Sequence, residues 1–159
     1  MIALFAAVLL AVAAAADQSQ PERLPVLALP PGDNAWAVRI ETTGGLTGRG
    51  TGSVAASSEG AVFCIRVTSC PGTLRPEPRQ SLSHLVSVIP IAPPPPSSSP
   101  SAVTTCSDCV TTTMTVHRRD ADGDRTLRYT WDVSTAHAVP GEVLRLHAAI
   151  AALTGRQRQ

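Results

Sequence analysis

Residues 36–67 read WAVRIETTGGLTGRGTGSVAASSEGAVFCIRV, and the reading of this stretch decides the fold. Trp36, Val38 and Ile40 alternate with Ala37, Arg39 and Glu41, the period of a half-buried strand. Thr43-Gly44-Gly45 supplies a turn in which positive φ costs little. A second extended run follows to Ala56, and Ser57-Ser58-Glu59-Gly60 marks a second turn. Residues 61–67 then read as a third strand with Phe63, Ile65 and Val67 on one face. The pattern is an antiparallel meander, a surface on which later helices can pack.

Gly44, Gly48, Gly50 and Gly52 all fall at even positions. Alternating glycines leave one strand face bare, either for a packed ring or for the close approach of a partner's backbone. A phosphate cradle is excluded. The run lacks the lysine that such a loop requires, and no helix start follows it.

Upstream, residues 1–16 are apolar throughout and end in small residues. They read as a secretory signal peptide, although no Lys or Arg precedes the apolar run. The segment is shorter than the ~20 residues of a membrane span, so no stable span is expected after cleavage. Residues 17–34 form a proline-rich leader. With 13 Lys+Arg against 12 Asp+Glu, the chain lacks the basic excess of a nucleic-acid binder. Aromatics are 3% of residues, so the core must rest on Val, Leu, Ile and Ala, with Trp36, Trp131, Tyr129 and Phe63 as its few large pieces.

Downstream, Leu82, Leu85, Val86 and Ile89 sit at helical spacing. Pro76 and Pro78 suit the helix entry, and Pro90 ends it. A Pro/Ser-rich loop spans 90–105 and cannot bury a core. Residues 110–119 are β-branched and read as a strand. The return strand, 125–133, places Leu127, Tyr129, Trp131 and Val133 on one face. Between them, Asp120, Asp122 and Asp124 alternate as at the start of a calcium loop. Counting from Asp120, however, puts Arg125 where the invariant glycine belongs and Trp131 where the bidentate glutamate belongs, so a hairpin turn is expected instead. Val139, Val143, Leu146, Ile150 and Leu153 give one apolar stripe on a closing helix over 140–153, with Gly155 as its stop. Residues 155–159 form a basic tail.

Cys64, Cys70, Cys106 and Cys109 behind a signal peptide imply two disulfides. Zinc is disfavoured because a second Cys-x-x-Cys is absent. A redox pair is disfavoured because 106–109 precede a strand rather than open a helix. If 65–67 are extended at about 3.3 Å per residue, Cys64 and Cys70 stand beyond bridging distance. That points to Cys64–Cys109 and Cys70–Cys106; local pairing requires the third strand to end at Cys64. No catalytic motif is found. His84, His117, His137 and His147 are scattered, and no metal-hydrolase or nucleophile-elbow pattern occurs. No enzyme, cofactor or metal is expected.

The sequence thus predicts one α+β domain over 35–154: an antiparallel sheet of about five strands with two helices packed on it, stapled by disulfides. The residues carrying this order resemble the emfourin family. Thr43-Gly44-Gly45-Leu46-Thr47-Gly48 resembles the Ser-Gly-Gly-Phe-x-Gly that follows that family's first strand. Residues 74–86 are similar to its short helix, 110–119 to its central strand, and 139–153 to its closing helix. The chain differs in its signal peptide, its four cysteines, its longer connections at 57–70 and 90–109, and Leu46 in place of phenylalanine.

Emfourins are small proteinaceous inhibitors of thermolysin-like metalloproteases. The signal peptide implies a secreted or periplasmic protein, and the resemblance implies a binding protein that contacts such a protease through Gly44, Gly45, Leu46 and Gly48. The alternative is a structural or interaction module of the cell envelope with no protease partner.

Overall fold

A computed structural model describes residues 28–45, 52–67, 69–91 and 109–154. Expectations for the signal peptide, most of the leader, residues 92–105 of the proline loop and the basic tail lie outside these residues. Five strands form: β1 (Trp36–Gly44), β2 (Gly52–Ser57), β3 (Val62–Ile65), β4 (Val110–Asp120) and β5 (Gly123–Trp131). They make one antiparallel sheet in the order β3-β2-β1-β4-β5. Two helices, α1 (Pro76–Ser87) and α2 (Gly141–Leu153), pack on it. The predicted α+β architecture is the observed one.

The alternation in β1 sets the sheet's two faces. Trp36, Val38 and Ile40 point inward with Val54 and Ala56 of β2, Met114 and Val116 of β4, and Leu127, Tyr129 and Trp131 of β5. Leu82, Val86 and Ile89 from the α1 segment and Val143, Leu146 and Ile150 from α2 close over them. Pro76 opens α1 at its first position, where the missing N–H costs nothing. Pro140 stands one residue outside α2, as its N-cap.

Four contacts lock the helix layer to the sheet. Trp36 Nε1–H donates to Ser83 Oγ at 2.8 Å. Tyr129 O–H donates to the Pro90 carbonyl at 3.3 Å. The His147 ring meets Trp131 edge-on at 5.4 Å. Arg118, 5% exposed, donates from Nη1 to the carbonyls of Val86 and Ile89 at 2.9 and 2.8 Å. Those carbonyls lie at and just beyond the end of α1, where few backbone donors remain; Val86 also accepts from the Ile89 N–H at 3.4 Å.

Among the described residues, the opposite face of the sheet carries no helix. Arg39 and Glu41 pair there at 2.6 Å. The Thr113 and Thr130 hydroxyls lie 3.3 Å apart, and His117 Nδ1 is 2.9 Å from Thr126 Oγ1. Ahead of β1, the Arg119 guanidinium reaches the carbonyls of Pro30 and Gly32, fastening the end of the leader to β4.

Three expectations are corrected. The third strand is four residues long rather than seven, and its phase is reversed. Val62 and Cys64 face the core, while Phe63 is 41% exposed. Pairing decides this: Cys64 and Val62 oppose the inward Val54 and Ala56, which places Phe63 beside outward Ala55. The return strand stops at Trp131, so Val133 is not on the core face but 85% exposed.

The third correction concerns the disulfides. Cys64 bonds Cys70, with Cα atoms 5.9 Å apart, which excludes the cross-pairing with Cys109 and Cys106. β3 ends at Ile65, and Arg66 takes a φ of +53° that doubles the chain back. The extended conformation assumed for 65–67 is therefore broken one residue after Cys64. Cys109 is also disulfide-bonded, and Cys106 lies outside the described residues. The Cys64–Cys70 ring spans a sequence separation of 6, so its removal relaxes a short loop. Cys64→Ser with Cys70→Ser should cost about 2 kcal/mol by the loop-entropy relation, read as a lower urea midpoint.

The aspartate hairpin turns at Ala121 and Asp122, with Gly123 at φ +116° opening β5. Each carboxylate faces an arginine rather than a common centre: Asp120 faces Arg118 and Arg125, Asp122 faces Arg125, and Asp124 faces Arg119. These are the contacts of a charged hairpin.

Candidate functional site

In an antiparallel sheet the C-terminal ends of β1, β3 and β5 meet the N-terminal ends of β2 and β4. This gathers the Gly44–Gly45 turn, the Cys64–Cys70 ring, Cys109–Val110 and the Asp132–Thr135 turn at one end of the sheet. The described residues of the predicted contact set are thus brought together with three of the cysteines. Leu46 and Gly48 lie outside the described residues.

Gly44 and Gly45 both lie in the left-handed region, at φ +99° and +84°. Gly44 pairs with Val110, and a Cβ built on it would collide with the carbonyl oxygen of Cys109. One of the glycines is therefore required by packing within the chain. Gly44→Ala should cost about 2 kcal/mol or more, from the left-handed backbone plus the displaced Cys109 carbonyl, and a thermal melt would show it. Gly52, also in the alternating set, is buried on the core face, where Thr42 Oγ1–H donates to its carbonyl at 3.0 Å.

Two apolar side chains stand on the β4–β5 side of the turn at this end of the sheet. Val133 is 85% exposed and Val110 36%. Val133 is held out by a tight turn. Asp132 Oδ1 accepts from the backbone N–H and hydroxyl of both Ser134 and Thr135, at 2.6 to 2.9 Å. Thr135 Oγ1 in turn accepts from the Asp132 N–H at 2.9 Å. The signal was in the sequence. An aspartate followed two and three residues later by Ser and Thr is an Asx-turn pattern, and it would have stopped the strand before Val133.

The hydroxyls of Ser134 and Thr135, and then their N–H groups, lower the Asp132 pKa from 3.8 to about 2. A carboxyl lowered in the folded state binds protons more readily in the unfolded chain. Its contribution to stability is complete above the ordinary carboxylate range and is lost as pH falls from about 4 toward 2. Asp132→Asn should accordingly lower the neutral plateau of a melting-temperature profile and flatten its acid limb, with the two proteins converging toward pH 2.

At this end the described residues offer backbone, apolar surface and the Asp132–Thr135 turn, whose carboxylate and hydroxyls bond one another. Among the described residues, no three of His, Cys, Asp and Glu stand where they could hold one metal ion. His84 is exposed on α1, His117 is on the helix-free face and His147 is against Trp131. These three do not meet at the glycine end, and His137 lies in the short 3-10 helix, Ala136–Ala138, that follows the Asp132–Thr135 turn. No described helix is long and apolar enough to cross a membrane. No family model matches this chain, and no curated protein or solved structure matches it.

Proposed function

We propose that the chain is a secreted or periplasmic binding protein without catalytic activity, and that it inhibits a thermolysin-like metalloprotease through the glycine end of its sheet. One observation carries the reading. Two successive left-handed glycines, the turn that resembles the emfourin motif, sit beside exposed Val110, at the same sheet end as exposed Val133, on a scaffold tied by disulfides. A turn without side chains can lay its backbone into a protease cleft, and a braced turn loses little entropy on binding. Disulfides form in oxidising compartments, in keeping with export.

The test is a titration of the oxidised protein against a thermolysin-like protease, followed by peptide hydrolysis. Stoichiometric loss of activity is expected, with the inhibitor left uncleaved. Val133→Arg changes an exposed side chain, so it should weaken inhibition without moving the melting temperature. Full activity of several such proteases in excess protein would overturn the reading, and the envelope-module alternative would take its place.

A further inference from the structure

The two edges of the sheet are treated differently. β3 is four residues long, and its outer backbone is already occupied. Val62 N–H donates to the Gly72 carbonyl at 2.9 Å and Leu74 N–H to the Gly60 carbonyl at 2.7 Å, while the Cys64–Cys70 ring closes the end. β5 is nine residues long, carries no proline, and among the described residues pairs only with β4. A long regular edge is a template for another strand unless it is blunted.

The register shows which backbone groups face outward. Asp120 opposes Gly123 across the two-residue turn, and Arg119 N–H donates to Ala35 on the β1 side. Arg118, Val116 and Met114 therefore bond toward β5, and Asp124, Thr126, Arg128 and Thr130 of β5 bond away from it. The side chains of these four residues are exposed on the helix-free face.

We propose that the chain pairs with a second copy of itself through β5, antiparallel about a twofold axis at Thr126, joining two five-stranded sheets edge to edge. Charge selects this register. With Thr126 opposite the partner's Thr126, Asp124 opposes the partner's Arg128, and Arg128 opposes the partner's Asp124. All three pairings join outward-facing backbone groups, as an antiparallel ladder requires. Pairing about Asp124 or about Arg128 would instead set like charges against each other.

Asp124 is held on its own chain by Arg119 at 2.6 and 3.0 Å, yet its side chain is 56% exposed and its oxygens can accept further donors. Arg128 makes no ion pair with any described residue. The dimer would complete a row of Arg119, Asp124 and the partner's Arg128. On the core side, a groove of about 340 Å³ runs along the edge, lined by Arg125, Leu127, Tyr129 and Ile91. Ile91 is 46% exposed. The partner strand covers this groove with its own Leu127 beside Arg125.

Sedimentation analysis of the oxidised protein tests the proposal. A reversible dimer is expected. Thr126→Pro removes an N–H that faces away from β4, so it should give a monomer that still folds. Arg128→Glu and Asp124→Lys should each weaken self-association at least about tenfold, because each creates two like-charge pairs. Mixed in equal amounts, the two variants should associate again, since each supplies the charge the other needs. A monomeric wild type up to its solubility limit, a dimer that survives Thr126→Pro, or a mixture that stays monomeric would each overturn the proposal. The β5 edge is separate from the glycine end, so a monomer would leave the inhibitor reading untouched, and a dimer would not establish it.

Discussion

Trp36→Ala is expected to remove about 3–5 kcal/mol of stability, the cost of deleting a large aromatic side chain from a packed core. Trp36 is 2% exposed and belongs to the cluster that joins both helices to the sheet. Its Nε1–H bond to Ser83 would also be lost, leaving a hydroxyl that still donates to the Arg79 carbonyl. Aromatics are scarce in this chain, so the cavity has few large neighbours able to collapse into it. A domain of this size has a net stability of about 5–15 kcal/mol. The variant should therefore lie close to its unfolding threshold. Urea unfolding followed by far-ultraviolet circular dichroism would measure the loss. Trp36→Phe keeps most of the ring and should recover more than half of it.

Arg118→Ala carries the second large effect, about 3 kcal/mol. It strips the donor from the Val86 and Ile89 carbonyls and removes the 3.1 Å pair with Asp120. The Val86 carbonyl keeps the Ile89 N–H at 3.4 Å, whereas the Ile89 carbonyl is left as a buried acceptor without that donor, at a cost of about 1–3 kcal/mol. Arg118→Lys keeps the charge but loses the planar fork, so it should restore only part of the stability. The diagnostic readout is amide exchange. In Arg118→Ala the protection of residues 86–89 should fall further than that of β1 and β4, because the helix end is released while the sheet ladder remains.

Most of the architecture was legible because its signals are local. The alternation of Trp36, Val38 and Ile40, the stripe of Val143, Leu146 and Ile150, and the prolines that open α1 and follow Ile89 each report one element's own geometry. The failures share a cause. β3 offers apolar residues on both faces, so its four residues contain no preference that outweighs pairing with Val54 and Ala56. Arg118 reads as a polar residue near a strand end. Its place on the inward face follows from the phase of β4, and its partners come from a helix 29 and 32 residues away. At the glycine turn, Gly44 and Gly45 were identifiable as a left-handed pair. That Gly44 is packed against the Cys109 backbone, and that exposed Val133 comes to the same end, required the strand order.

By itself the sequence determined the class of the fold, the number of strands and helices, and the glycine turn, since each depends on the periodicity or turn chemistry of a continuous stretch. The tertiary structure alone decided the Cys64–Cys70 bond, the inward face of β3, the buried Arg118 and the asymmetry between a closed β3 edge and a β5 edge that no described strand covers. These depend on which strands become neighbours and in what register. Side chains distant along the chain fix that choice together when the core closes, and no local pattern records it.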